Sequence, residues 1–190
     1  MQAFLSRFPV APWPIYLLIA MLLLSAMGDS FSRVLRFDHE AVSLGEYWRL
    51  LTAHVVHLGW PHTLLNAGGL LLVAWMQPKG APWRWLLFYV LTSMAISIYL
   101  YIEGSVSTYV GASGVLHGLL IMAAFFSQWL ETWRRYLIVL AISSKLIWEQ
   151  TPWYSDDSVA QVIGGYVVVD AHFLGGLAGL LVLIWVRVKK

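Results

Sequence analysis

Cysteine is absent from this chain of 190 residues, and charge is scarce: Lys and Arg number 12, Asp and Glu 10, together 12% of the sequence. The first absence excludes disulfides, thiolate metal sites and a cysteine nucleophile. The second separates the chain from soluble domains, in which about 25% of residues are charged. The formal net charge of +2 is spread among apolar segments, so no basic patch for nucleic acid is present. Barrel strands are missing too, because no run alternates with period two over about ten residues. What remains is apolar: 59% of the residues are hydrophobic.

Six apolar runs approach the length of about 17–25 residues that crosses a bilayer. They cover roughly 12–28, 60–77, 83–102, 113–130, 134–149 and 170–188. The expected fold is an all-α membrane protein, a six-helix transmembrane bundle forming one domain over residues 1–190. "LLLSAMGDS" at the end of the first run loosely resembles a signal-peptide cleavage site. Cleavage would leave five spans, so a retained helix is expected. Orientation follows the Lys and Arg of the connections. With the N-terminus inside, Arg7, Lys79, Arg84, Arg134, Arg135, Arg187, Lys189 and Lys190 lie on the inner side. Arg33, Arg36 and Arg49 lie outside among Asp29, Asp38, Glu40 and Glu46. Both termini are expected to face the cytoplasm.

On that topology the polar residues converge. His62 and Asn66 open the second run, Ser113 the fourth and His172 the sixth, and all three spans run from outside to inside. Polar groups within a bilayer are expensive, so three segments placing them at one depth mark a site. A serine hydroxyl becomes nucleophilic when a histidine takes its proton. Ser113 at a helix start also lies among backbone N–H groups without intrahelical partners, which can stabilise an oxyanion. His62 and Asn66, four apart, share a helix face.

"GASGVLHG" at 111–118 carries two readings: Gly111 and Gly114 clear space around one hydroxyl, or they serve close helix packing. In "HFLGGLAG", Gly175 and Gly179 stand at GxxxG spacing on the face of His172. That face is expected to pack on the fourth span at Gly111–Gly114 and bring His172 to Ser113, so the two readings agree. His117 is a competing base on Ser113's face; stacking or hydrogen bonding to His172 and plain packing are its other roles.

Rival chemistries fit less well. His54, His57 and His62 lack the H-E-x-x-H pattern of a metalloprotease helix, so no metal is expected. "SSK" at 143–145 suggests a Ser–Lys dyad, but Lys145 near the outer end of the fifth span can snorkel to the interface. Asp170, two residues before His172, points to another side of the helix and reads as a solvated cap or a gate residue. A transporter would want charged or broken helices near the midplane.

"GASG", "HTLLN" and "AHFLGGLAG", each opening a span, together resemble the rhomboid intramembrane serine proteases, as does "EYWRLLTAHVVHLGWPHTLLN". The resemblance covers roughly residues 12–188. It implies Ser113 as nucleophile and His172 as general base and acid, a dyad without aspartate and without cofactor. It implies an oxyanion hole of His62, Asn66 and the Ser113 N–H, a first outer loop braced by Trp48 and Arg49, and a structural His57. Two departures are His117, where the family commonly has tyrosine, and a short first outer loop, about 29–50, with no cytosolic domain expected. These features look most like the rhombosortase subgroup. That implies a bacterial inner-membrane protease whose site faces the periplasm. Its substrates would be single-span proteins with a C-terminal Gly-Gly stretch, apolar helix and basic tail. A general rhomboid protease and a non-proteolytic rhomboid-like chaperone are the alternatives.

Overall fold

The computed structural model describes residues 12–78 and 80–188. In chain order its elements are α1 (Pro12–Ala26), α2 (Asp29–Leu35), β1 (Phe37–Asp38), α3 (His39–Ser43), α4 (Arg49–Thr52), α5 (Trp60–Met76), α6 (Pro82–Glu103), β2 (Thr108–Tyr109), α7 (Ser113–Phe126), α8 (Thr132–Glu149), α9 (Asp157–Ile163) and α10 (Val169–Val188). The six apolar runs correspond to the six longest of these helices. Of the cations used to orient the chain, Arg7, Lys79, Lys189 and Lys190 lie outside the described residues.

Local signals explain the boundaries. Pro61 and Pro82 stand in the first turns of α5 and α6, where a missing N–H leaves no intrahelical bond unmade. Gly104 ends α6 in the left-handed conformation that a helix C-cap favours, at φ +77°. Helices α6 and α10 are long and apolar enough to cross a bilayer, and α1 and α7 are shorter apolar helices. Leu64, Leu71, Leu72, Leu137, Leu140, Leu181 and Ile184 are all exposed along the outer helix faces. An apolar surface of that extent suits lipid rather than water, and the chain is a membrane protein.

Helix α7 is the centre of the bundle. Val115, Leu119, Ile121, Ala123 and Ala124 are fully buried in it, and α5, α6, α8 and α10 pack around it. A helix apolar on all sides belongs in such a position. Its contact with α10 is made backbone to backbone. A Cβ on Gly175 would run into the Gly114 carbonyl, and one on Gly118 into the Gly175 carbonyl. A Cβ on Gly114 would lie 2.8 Å from the Ala171 oxygen, and one on Gly179 would lie 2.6 Å from the Gly118 oxygen. The meeting points on α7 are thus Gly114, within the expected 111–114 stretch, and Gly118, one turn beyond it, while Gly111 faces His62 instead.

At the end of the bundle that carries Ser113, two connections are tied together. β1 and β2 form a two-residue antiparallel ladder, Phe37 opposite Tyr109 and Asp38 opposite Thr108. This strand pair was not expected in an all-α chain. It pairs backbone groups that two non-helical segments would otherwise leave unmet beside a buried core, and Phe37 and Tyr109 insert into that core. Helix α2 ends on side chains from α4 and its flank. Arg49 Nη1 donates to the carbonyls of Arg33 and Arg36 at 2.8 Å each, and Thr52 Oγ1 donates to that of Leu35 at 2.6 Å. The Trp48 indole donates to the Val34 carbonyl at 3.4 Å. Four carbonyls at a helix end are thereby satisfied without water.

Candidate active site

Ser113 is the first residue of α7 and His172 the fourth of α10. Their side chains meet across the glycine seam, with His172 Nε2 2.9 Å from Ser113 Oγ. No residue lies between the two helix backbones, so the side chains at their shared end are brought within bonding distance.

The other face of His172 meets α8. Both carboxylate oxygens of Glu149, the last residue of α8, lie 3.2 Å from His172 Nδ1. Glu149 is 3% exposed. Its charge is matched by Lys145 one turn earlier, whose Nζ stands 2.7 Å from Glu149 Oε1. The same ammonium is 2.8 Å from His117 Nε2 and 3.5 Å from His172 Nδ1. His117 Nδ1 is 2.7 Å from the Ser113 carbonyl, and its ring stacks on His172 with centroids 4.3 Å apart at a tilt of 36°. His172 is therefore held at Nε2, at Nδ1 and on one face.

Lys145, expected to snorkel, is half-exposed at the side chain but has its ammonium engaged. The acid four residues on, on the same helix face, gives it a nearer partner than the interface. The acid beside His172 is Glu149, from another helix, and not Asp170. His117, Glu149 and His172 offer ligand atoms within 4.8 Å of one another. A divalent cation among them would face the ammonium of Lys145, so this donor set does not fit a metal.

Facing the serine is a cavity of ≈310 Å³ lined by His57, His62, Asn66, Ser113, Tyr166 and His172 among others. His62 Nδ1 accepts the Leu58 N–H at 3.4 Å, which leaves its proton on Nε2. Asn66 Nδ2 donates to the His62 carbonyl at 2.9 Å and keeps a second N–H, while Oδ1 is buried without a partner among the described residues. The His57 ring meets His62 edge-on at 5.0 Å, and neither of its nitrogens has a partner among the described residues. Gly111, at φ +116°, presses its Cα side against the His62 ring, where a Cβ would approach to 2.8 Å. Only glycine satisfies both the left-handed backbone and that contact. Gly111 is pinned from below by its N–H to the Ala53 carbonyl at 2.9 Å, and its own carbonyl accepts the Tyr109 hydroxyl at 2.9 Å. Val159 and Ile163 of α9 and Tyr166 just beyond it stand on the cavity wall.

Trp48 and Arg49 stand away from Ser113 and act on the segment containing α2 and α4. Glu149 is the residue that sequence reasoning passed over. Its signal was present as a Lys–Glu pair at i, i+4 near the outer end of an apolar run.

A serine hydroxyl bonded to an imidazole beside a cavity is the arrangement that serine hydrolases use, here built into a membrane protein. The family model described as the rhomboid domain matches residues 44–189, and the chain belongs to the rhomboid family of intramembrane proteases. No curated protein and no solved structure matches it.

Proposed function

We propose that this chain is an intramembrane serine endopeptidase working through Ser113 and His172. The observation that carries the reading is the 2.9 Å contact between Ser113 Oγ and His172 Nε2 at the wall of the cavity. In the first half-reaction the Ser113 oxygen attacks the scissile carbonyl carbon while its proton passes to His172 Nε2. The oxyanion is met by N–H donors from His62 Nε2, Asn66 Nδ2 and the Ser113 backbone. The imidazolium then protonates the leaving amine as the C–N bond breaks, giving an acyl-serine. Water, deprotonated by the neutral His172, attacks the ester carbon, and the same proton returns to Ser113 as the acid product leaves.

The proposed topology has six spans with both termini in the cytoplasm, in a bacterial inner membrane with the cavity toward the periplasm. The proposed substrates are single-span proteins with a C-terminal Gly-Gly, apolar helix and basic tail, as in the rhombosortase subgroup. The cavity supports this choice, since ≈310 Å³ beside the serine is at the small end for a binding site and suits a backbone with little side chain. Glycine also costs a helix about 1 kcal/mol relative to alanine, which eases unwinding at the scissile bond.

The test is cleavage of a reporter with such a tail, with and without the protein. Ser113→Ala, His172→Ala and the double variant should all be inactive and equally so, because residues acting as a unit are non-additive. A fluorophosphonate should label the native chain and not Ser113→Ala. Turnover by Ser113→Ala would overturn the nucleophile. Equal cleavage of single-span proteins without the Gly-Gly tail would leave a general rhomboid protease, and no cleavage of either would leave a non-proteolytic member.

A further inference from the structure

The hydrogen bonds around His172 determine one another's protons. Ser113 can give its proton to Nε2 only if Nε2 is bare, which puts the imidazole's own proton on Nδ1. The group facing Nδ1 must then be an acceptor. Glu149 supplies two carboxylate oxygens there, at 3.2 Å each. The neighbouring Lys145 ammonium, 3.5 Å from the same nitrogen, has no lone pair and can only donate. Left alone with Nδ1, it would favour the tautomer with the proton on Nε2, which cannot accept from Ser113. The ammonium instead donates to Glu149 at 2.7 Å and to His117 Nε2 at 2.8 Å. That second bond places the His117 proton on Nδ1, where it donates to the Ser113 carbonyl at 2.7 Å. A single proton arrangement satisfies every contact but the longest, the 3.5 Å approach of Lys145 to Nδ1, where two donors face each other.

We infer that Glu149 is the positioning residue of a Ser113–His172–Glu149 triad, selecting the reactive tautomer of His172 while Lys145 balances its buried charge. The inference rests on the proposed dyad. Glu149 reaches His172 from α8, a helix that carries neither of the dyad residues, so the geometry is assembled from three separate helices. A buried carboxylate is tolerated only when paired, and Lys145 provides that pairing while its stem runs along the exposed side of α8. Because the ammonium offsets much of the carboxylate's field, the contribution of Glu149 is to orientation and tautomer more than to charge. His117 holds the imidazole from its face and completes the fixation.

The experiment uses the full chain in detergent. Selective ¹⁵N labelling of histidine should show neutral His172 in the native protein with its proton on Nδ1, and in Glu149→Gln with its proton shifted to Nε2. The maximal rate of fluorophosphonate labelling at Ser113 should fall at least about 100-fold in Glu149→Gln. The concentration for half-saturation should change little, and the thermal midpoint should stay near native. Glu149→Asp, which keeps an acceptor, should recover part of the rate. A native His172 protonated on Nε2, or a Glu149→Gln chain that labels at the native rate, overturns the triad. Those outcomes leave the dyad standing if Ser113→Ala still fails to label, whereas a native chain that never labels defeats the dyad itself.

Discussion

Gly175 and Gly176 are adjacent in α10 and face two different neighbours. A Cβ on Gly175 would meet the Gly114 carbonyl and the backbone of α7, which cannot move aside without moving Ser113. A Cβ on Gly176 would meet Cδ1 of Leu146 on α8, the far end of a flexible side chain. The same contrast runs through the whole site. On the α7 side, His172 is placed by backbone against backbone. On the α8 side, it is held by Glu149 and Lys145, two long side chains that can follow a small displacement. One interface sets the distance between His172 and Ser113, and on the proposed triad the other sets the state and angle of the ring. The first tolerates no added atom, whereas the second tolerates added atoms but no exchange of its chemistry.

Gly175→Ala should break this contrast most severely. Pushing α10 away from α7 by a fraction of an ångström separates Ser113 from His172, and a misplacement of about 1 Å is worth around 100-fold in rate. Activity on the tailed reporter should fall by about that factor or more. Overpacking should lower stability by about 1–3 kcal/mol, read as a drop in thermal midpoint. Native activity in Gly175→Ala would show that the seam does not set the distance.

Next in size is Asn66→Ala, which removes one proposed oxyanion donor and leaves both faces of His172 untouched. It should lower kcat by about 100-fold with KM nearly unchanged. A rise in KM alone would place Asn66 in substrate binding.

His117→Ala should slow cleavage several-fold, since the ring loses one of its three supports while its tautomer is still set by Glu149. His117→Tyr should retain more activity than His117→Ala, because an aromatic face can still pack on His172. An inactive His117→Tyr alongside an active His172→Ala would reverse the roles of the two histidines.

The smallest effect belongs to Gly176→Ala. Leu146 can change rotamer to admit the methyl group, so activity should stay within about twofold of native and the thermal midpoint within a few degrees. A loss comparable to that in Gly175→Ala would mean that α8 is packed as rigidly as α7.

Much of this arrangement was legible in the residues. Long apolar runs mark the helices because a bilayer-facing helix has little freedom of composition. Ser113, His62, Asn66 and His172 stand out because polar groups in such runs need a reason. Gly175 and Gly179 announce a close neighbour, although spacing does not say which turn of α7 they meet. Glu149 was not legible. It sits where an apolar run ends, the usual place for a charge that reaches water, and Lys145 four residues before it offered a sufficient local partner. Its burial depends on the end of α8 lying against the start of α10, a long-range fact that periodicity does not contain. The ladder of β1 and β2 was hidden for a similar reason, as two residues are too few to show alternation. The role of Arg49 in closing α2 requires knowing that a helix ends 13–16 residues upstream of it, where it donates to Arg36 and Arg33.

Ser113 and His172 are 59 residues apart, and the second lies in the last helix described. During biosynthesis α7 reaches the membrane first, and its serine then has His117 one turn away but not yet His172 at its hydroxyl. On the proposed dyad, the hydroxyl gains its base only when α10 has been threaded in and docked on Gly114 and Gly118. On the proposed mechanism, proteolytic competence would therefore report completed insertion. On the same mechanism, a chain stopped before residue 169 would lack His172 and so the proposed base.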